Sequence, residues 1–259
     1  MKAVPLLAVC AGLATPALAT LTYTGGTIME NFDSLPTTNT TGAFSNVVGT
    51  QSPVPGLVTW SGTKNAGTGA TASTFIADNG TSNSGALFSY GQTGNTDRAL
   101  GALASGSNAM TFGVDIVNNS GLTWADVTIT FTKEQYRSST STQNVLSFAY
   151  GLSGGTATGS NFLTDTSLAP LATGNVVGDA PVATNGRLDP ISTAPVSFTI
   201  TGVNWAPGQT LFIRWSDFND IGNDAGLAID DFSLTGVPSP GSVALVGLAG
   251  LAAIRRRRA

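Results

Sequence analysis

Val127-Thr128-Ile129-Thr130-Phe131-Thr132 alternates apolar and hydroxyl side chains without a break. Successive side chains of a strand point to opposite faces, so this hexapeptide has one face for a core and one for solvent. A helix would scatter the same residues around its axis, and β-branched and aromatic residues favour the strand. The pattern repeats outward from this stretch. Met110, Phe112, Val114 and Ile116 alternate in the same way, as do Val196, Phe198 and Ile200, and Leu211, Ile213 and Trp215. Residues 28–35, 57–61, 86–90, 145–150 and 227–234 read as further strands. Turn-rich connections separate them, and Ala206-Pro207-Gly208-Gln209 has type II turn chemistry. Roughly ten strands at this spacing, and no convincing helix, predict an all-β chain folded as one β-sandwich, a jelly roll. Residues 168–195 form the longest stretch without strand signal and read as a surface excursion.

Composition agrees with an exported β-protein. Charged residues make up 10% of the 259, against about a quarter in ordinary domains, and glycine accounts for 32. The 41% hydrophobic content is enough to build a core. At the front, Lys2, the apolar residues 6–13 and Ala17-Leu18-Ala19 form a signal peptide over residues 1–19. The mature sandwich domain is then expected over residues 20–236. The one cysteine, Cys10, falls inside the signal peptide, so disulfides and thiol chemistry are excluded from the mature chain. With no histidine there is no Ser-His-Asp triad and no imidazole metal site. Loss of Lys2 and the four terminal arginines leaves six basic against fifteen acidic residues, a net charge of −9. That balance opposes nucleic-acid binding.

The chain ends Val237-Pro238-Ser239-Pro240-Gly241, an apolar run over residues 243–254, then Arg255, Arg256, Arg257 and Arg258. As a helix the apolar run would reach about 18 Å, short of a hydrocarbon core of about 30 Å. The arginines would stay on the cytoplasmic side. This order of motif, short transmembrane helix and basic cluster resembles the PEP-CTERM sorting signal of bacterial envelope proteins. Ser239 stands where that family carries an acidic residue. The resemblance implies transient retention in the inner membrane and processing by an exosortase-type enzyme. The protein would end at the cell surface or in the extracellular matrix.

Two groups of residues stand out as candidate sites. The closing strand, Ile229-Asp230-Asp231-Phe232, and an early acidic segment, Glu30-Asn31-Phe32-Asp33, are similar to stretches of MAM-like and carbohydrate-binding jelly rolls. That resemblance implies that first and last strands meet and hold a structural Ca²⁺, with Glu30 and Asp231 as leading ligands and Asp230 and Asp33 behind them. Strict alternation sets Asp230 on the face of Phe232 and Leu234. A carboxylate there requires a cation, a hydrogen-bond network or a β-bulge. The loop from Asp217 to Asp224 has two readings, a hard-cation loop or a polar hairpin tip. The second group is Tyr136, Arg137 and Tyr150, which would line a concave face and stack on a sugar ring. A solvated strand end is the alternative there.

The expectation for function is a non-enzymatic surface or matrix protein. A glycan-binding envelope module is the alternative, and a polysaccharide hydrolase a third reading. The two glutamates, Glu30 and Glu134, lie far apart in sequence with no hydrolase motif around either.

Overall fold

A computed structural model describes residues 19–38, 44, 47–65, 75–106, 108–155, 161–183 and 188–239. The expected signal peptide except Ala19, and the tail from Pro240 onward with Gly241 and the four terminal arginines, lie outside the described residues. The fold is all-β. Its strands are β1 (Leu21–Tyr23), β2 (Thr27–Glu30), β3 (Ser52–Val54), β4 (Leu57–Lys64), β5 (Phe75–Asp78), β6 (Ala86–Tyr90), β7 (Ala99–Leu103) and β8 (Met110–Asn118). They continue with β9 (Trp124–Arg137), β10 (Val145–Leu152), β11 (Ala169–Pro170), β12 (Val176–Val177), β13 (Leu188–Ile200), β14 (Thr210–Asp217) and β15 (Gly226–Pro238). Among the described residues no helix is long and apolar enough to cross a membrane.

The strands form two sheets. The first runs β11-β10-β14-β8-β4-β3, with β1 added to β8 and β12 to β10. The second runs β13-β9-β15-β7-β6-β5, with β2 added to β15. Alternation decides which side chains meet between them. Val127, Ile129 and Phe131 of β9 face Leu211, Ile213 and Trp215 of β14 across one apolar layer. Trp215 is the hub of that layer. Its ring lies 5.1 Å from Phe148 and 5.9 Å from Phe112 of its own sheet, and 5.5 Å from Phe131 and 6.2 Å from Phe232 of the other. Its indole N–H donates to the Gly174 carbonyl at 3.0 Å, so the polar end of the buried ring is satisfied. Trp60, Trp124 and Trp205 are buried as well.

Several expectations about the elements are corrected. Residues 168–195 are no excursion: β11, β12, a short 3-10 turn (Ala172–Gly174) and the start of β13 all lie there. The stretch is stitched to β10, where Leu171 N–H donates to the Phe148 carbonyl at 3.2 Å. Two-residue strands are too short to show a period. The strand expected over 28–35 stops at Glu30, because Phe32 takes φ +55 and turns the chain inward. β7 went unread because Ala-Leu-Gly-Ala-Leu is buried on both faces and shows no alternation. At the far end, Val237 and Pro238 belong to β15, and Ser239 N–H still reaches the Thr123 carbonyl at 3.3 Å. The sheet therefore extends two residues into the motif expected to begin the sorting signal. The turn at Ala206 forms as expected, with Gly208 at φ +79 and Gln209 N–H donating to the Ala206 carbonyl at 3.1 Å.

Candidate functional site

The closing strand contains the bulge that its carboxylate required. Asp230 pairs with Thr132 and Ser233 with Thr130, so Asp231 and Phe232 of β15 stand together opposite the single Phe131 of β9. Asp231, at φ +48, is the bulged residue. The bulge turns Asp230 onto the outer face with Ala228, while Phe232 and Leu234 return to the core. Only 6% of Asp230 is exposed. Its Oδ1 accepts the Asp231 N–H at 2.7 Å. Burial pushes its pKa up to about 7, and the charges of Asp231, Glu134 and Asp97 push in the same direction. Glu134 is raised as well, chiefly by burial, and accepts the Tyr136 hydroxyl at 2.5 Å.

First and last strands do meet, with Glu30 of β2 opposite Phe232 of β15. The carboxylates of Glu30 and Asp33 accept from nearby backbone and amide donors. Glu30 Oε1 accepts the Phe32 N–H at 3.0 Å. Asp33 accepts from the Asn31 amide at 2.6 Å and the Arg98 N–H at 3.3 Å. Among the described residues no three acidic side chains are grouped to hold a metal ion. The structure thus does not bring Glu30, Asp33, Asp230 and Asp231 together as one group among the described residues.

The loop from Asp217 to Asp224 spends its oxygens on bonds within itself and to the segments packed beside it. Asp217, buried at the end of β14, accepts the Ala104 N–H at 2.7 Å. Asp224 accepts the Asp220 N–H at 2.9 Å, and burial pushes its pKa up to about 6. Asp220 accepts from the Asn144 amide at 2.5 Å. These bonds favour the polar hairpin tip.

Tyr136, Arg137 and Tyr150 do not share a face. Tyr136 is 2% exposed and stacks on Tyr90 at 4.7 Å, which itself stacks on Phe88 at 4.6 Å. Arg137 is 7% exposed, with a terminal nitrogen 3.4 Å from the Gly80 carbonyl. Tyr150 lies in the other sheet. It has the parity of Leu146 and Phe148 and rests half-buried on the main core. The sugar-stacking platform expected from these three residues is therefore absent. The reason is that Tyr136 sits on a part of the sheet already covered, where the aromatic stack provides its neighbours.

The open concavity lies elsewhere. β5 and β6 run parallel, with Asp78 opposite Tyr90. The turns that follow them enclose a cleft of about 400 Å³. Among the described residues, Thr37, Asp78, Asn79, Thr81, Gln92, Thr93, Asn95 and Arg98 line it, with Ala77 as the one apolar side chain and no aromatic ring. The walls are fixed by their own bonds. Asp78 accepts the N–H groups of Gly80 and Ser82 at 2.7 and 3.0 Å and the Thr81 hydroxyl at 2.7 Å. The opposite turn closes through Asn95 N–H to the Gln92 carbonyl at 3.0 Å, and Gly94 takes φ +82. Asn79 Nδ2 reaches the Thr93 hydroxyl at 3.4 Å and links the two turns. Arg98 is anchored beneath, with Nε donating to the Ser89 hydroxyl at 2.9 Å; burial lowers its pKa. Chemically the cleft offers amides and hydroxyls that donate and accept, together with a carboxylate that accepts and a guanidinium that donates. The sequence signal for it was the turn cluster Gly91-Gln92-Thr93-Gly94-Asn95 between two strands, a loop signature that carries no chemistry of its own.

No protein-family model matches the chain. No curated protein matches it in sequence either. Among solved structures it is similar to the enzymatically active domain of tailspike protein 4 of bacteriophage CBA120, at 10% identity and a TM-score of 0.35. That match covers 69% of this chain and 19% of the tailspike, so the chain spans about a fifth of that protein. It is also similar to the CBM22-1 xylan-binding domain of Paenibacillus barcinonensis Xyn10C, at 9% identity and a TM-score of 0.33 over 85% of this chain and 99% of that one. A third similarity is to TmCBM61 in complex with β-1,4-galactotriose, at 9% identity and a TM-score of 0.27, covering 56% and 74% of the two chains.

Proposed function

We propose that the chain is an exported, non-enzymatic envelope or matrix protein whose jelly-roll body binds a neutral glycan in the cleft between the β5 and β6 turns. The observation that carries this reading is the composition of the cleft wall. Its side chains are nearly all amides, hydroxyls and charged groups, held by hydrogen bonds on a rigid sheet end. A pocket of about 400 Å³ suits one or two sugar rings, whose vicinal hydroxyls need donors and acceptors side by side. Asp78 in the wall and the acidic balance of the chain disfavour anionic polysaccharides. With no aromatic ring among the described residues of the wall, affinity rests on hydrogen bonds and is modest.

Screening the purified protein on a glycan array tests this. Neutral oligosaccharides are expected to bind, and Gln92→Ala to weaken them about fivefold, the worth of one net hydrogen bond. An array on which no neutral glycan binds would end the proposal. The reading also includes export through the signal peptide, transient inner-membrane retention through residues 243–254 and exosortase-type removal of the tail. Mass spectrometry of the mature protein from its host checks that part. Loss of Arg255 to Arg258 is expected, and an intact tail contradicts it.

A further inference from the structure

A second, smaller pocket opens where strands of the second sheet end together. β7 and β9 finish there and β15 begins, with Arg137 opposite Gly226. Among the described residues, Asn83, Leu103, Ala104, Arg137, Asn223 and Asp224 wall a space of about 70 Å³. Arg137 decides what this space can hold. Its guanidinium is always charged, and the residue is 7% exposed. Its Nε is buried with no hydrogen-bond partner. Among the described residues its one hydrogen bond is the long contact of 3.4 Å to the Gly80 carbonyl. A buried guanidinium without an anion beside it is costly, and a ligand that carries an anion removes that cost.

Asp224 lines the same pocket from the loop before β15. It is 5% exposed, and its Oδ1 accepts the Asp220 N–H at 2.9 Å. Burial pushes its pKa up to about 6, the charge of Asp220 adds to the rise, and no cation offsets them. Arg137 and Asp224 thus line one pocket without bonding each other. The walls are held from behind. Asp217 accepts the Ala104 N–H at 2.7 Å, Asn223 N–H donates to the Thr140 hydroxyl at 2.9 Å, and Thr140 N–H donates to the Asn223 carbonyl at 3.1 Å. A preformed pocket loses little in ordering when a ligand enters. Arg137 repels a metal cation and Asp224 repels an inorganic anion, while a neutral molecule leaves both charges unpaired. The volume admits a molecule of a few heavy atoms. A carboxylate and an ammonium joined by one carbon answer both walls. The guanidinium fork takes the carboxylate, Asp224 takes the ammonium, and the carbon rests on Leu103 and Ala104.

We propose that this pocket binds a small zwitterionic amino acid of glycine or alanine size, its carboxylate on Arg137 and its ammonium on Asp224. The site is separate from the cleft: Asn79 and Thr81 of the turn after β5 line the cleft, and Asn83 lines this pocket. The test is NMR titration of the isotopically labelled full-length protein with glycine. Backbone amides are followed together with the Arg137 Nε–H resonance, which reads the unbonded atom directly. Glycine is expected to shift that resonance and the amides of residues 103–105 and 222–224, with half-saturation at about 1 mM, within reach of so small a ligand. Acetate and methylammonium each carry half of the ligand and should bind about tenfold more weakly or worse, the worth of one charged hydrogen bond. Arg137→Gln and Asp224→Asn should each weaken glycine by about the same factor. The asparagine keeps an oxygen for the Asp220 N–H, so Asp224→Asn carries the test if Arg137→Gln does not fold. Gln92→Ala should weaken sugar binding and leave the glycine titration intact. Absence of these shifts up to about 50 mM glycine would overturn the proposal. So would acetate binding as tightly as glycine, which would make the pocket a plain anion site, or undiminished glycine binding in folded Asp224→Asn.

Discussion

Replacing Asp230 with asparagine should stabilise the protein, and only above neutral pH. In the fold, burial pushes this carboxyl up from 3.8 to about 7, and Asp231, Glu134 and Asp97 add to the rise. A folded-state pKa raised above the unfolded one means that the fold holds the proton more tightly. The contribution is therefore fully favourable below about pH 4 and is lost as pH rises through about 7. A rise of about three pH units corresponds to about 4 kcal/mol at most, and solvent screening at the outer face reduces this to about 2 kcal/mol. The asparagine amide would keep the oxygen that accepts the Asp231 N–H at 2.7 Å, so the bulge survives. Urea or thermal denaturation at pH 8 should show Asp230→Asn more stable by about 2 kcal/mol, or about 4–8 °C in Tm for a chain of this size. At pH 4 the two proteins should differ little. An equal gain at both pH values would refute the electrostatic reasoning. A loss of stability at pH 8 would refute it more sharply, because it would mean that the ionised Asp230 is neutralised by a cation.

Other outcomes follow from the same geometry. Trp215→Ala should cost about 3–5 kcal/mol, since the ring joins both sheets; a loss below about 1 kcal/mol in urea titration would show that the hub is misassigned. Tyr136→Phe removes the hydroxyl that bonds Glu134 and should cost about 1 kcal/mol in stability while leaving sugar binding unchanged. Loss of sugar binding in that variant would restore the Tyr136 platform. EDTA should leave the melting curve in place, given that Glu30 and Asp33 already accept hydrogen bonds from protein donors; a drop of several degrees would show that Glu30 and Asp231 close on an ion.

The central strands were legible because their two faces differ in chemistry. β8, β9 and β14 show unbroken alternation, and each forms where the period places it. β7 lies in the second sheet between β15 and β6, yet it is buried on both faces and leaves no period to read. β11 and β12 are two residues each and exist through pairing with β10, information that no local window holds. The conflict at Asp230 was visible in sequence as a carboxylate out of phase, and a bulge was one of its physical remedies. Tyr136 misled for a related reason: its face depends on what covers the sheet there, and the cover comes from Tyr90 and Phe88, about 46 residues or more away in the chain. The cleft was hidden because its walls are two turns that become one site through the parallel pairing of β5 and β6.

The most direct test of glycan binding by the cleft is NMR titration of the isotopically labelled protein with neutral oligosaccharides. Backbone amide shifts are expected at residues 77–81 and 91–98, the two turns that line the cleft. Shifts centred on residues 133–137 and Tyr150, or none up to millimolar sugar, would contradict it.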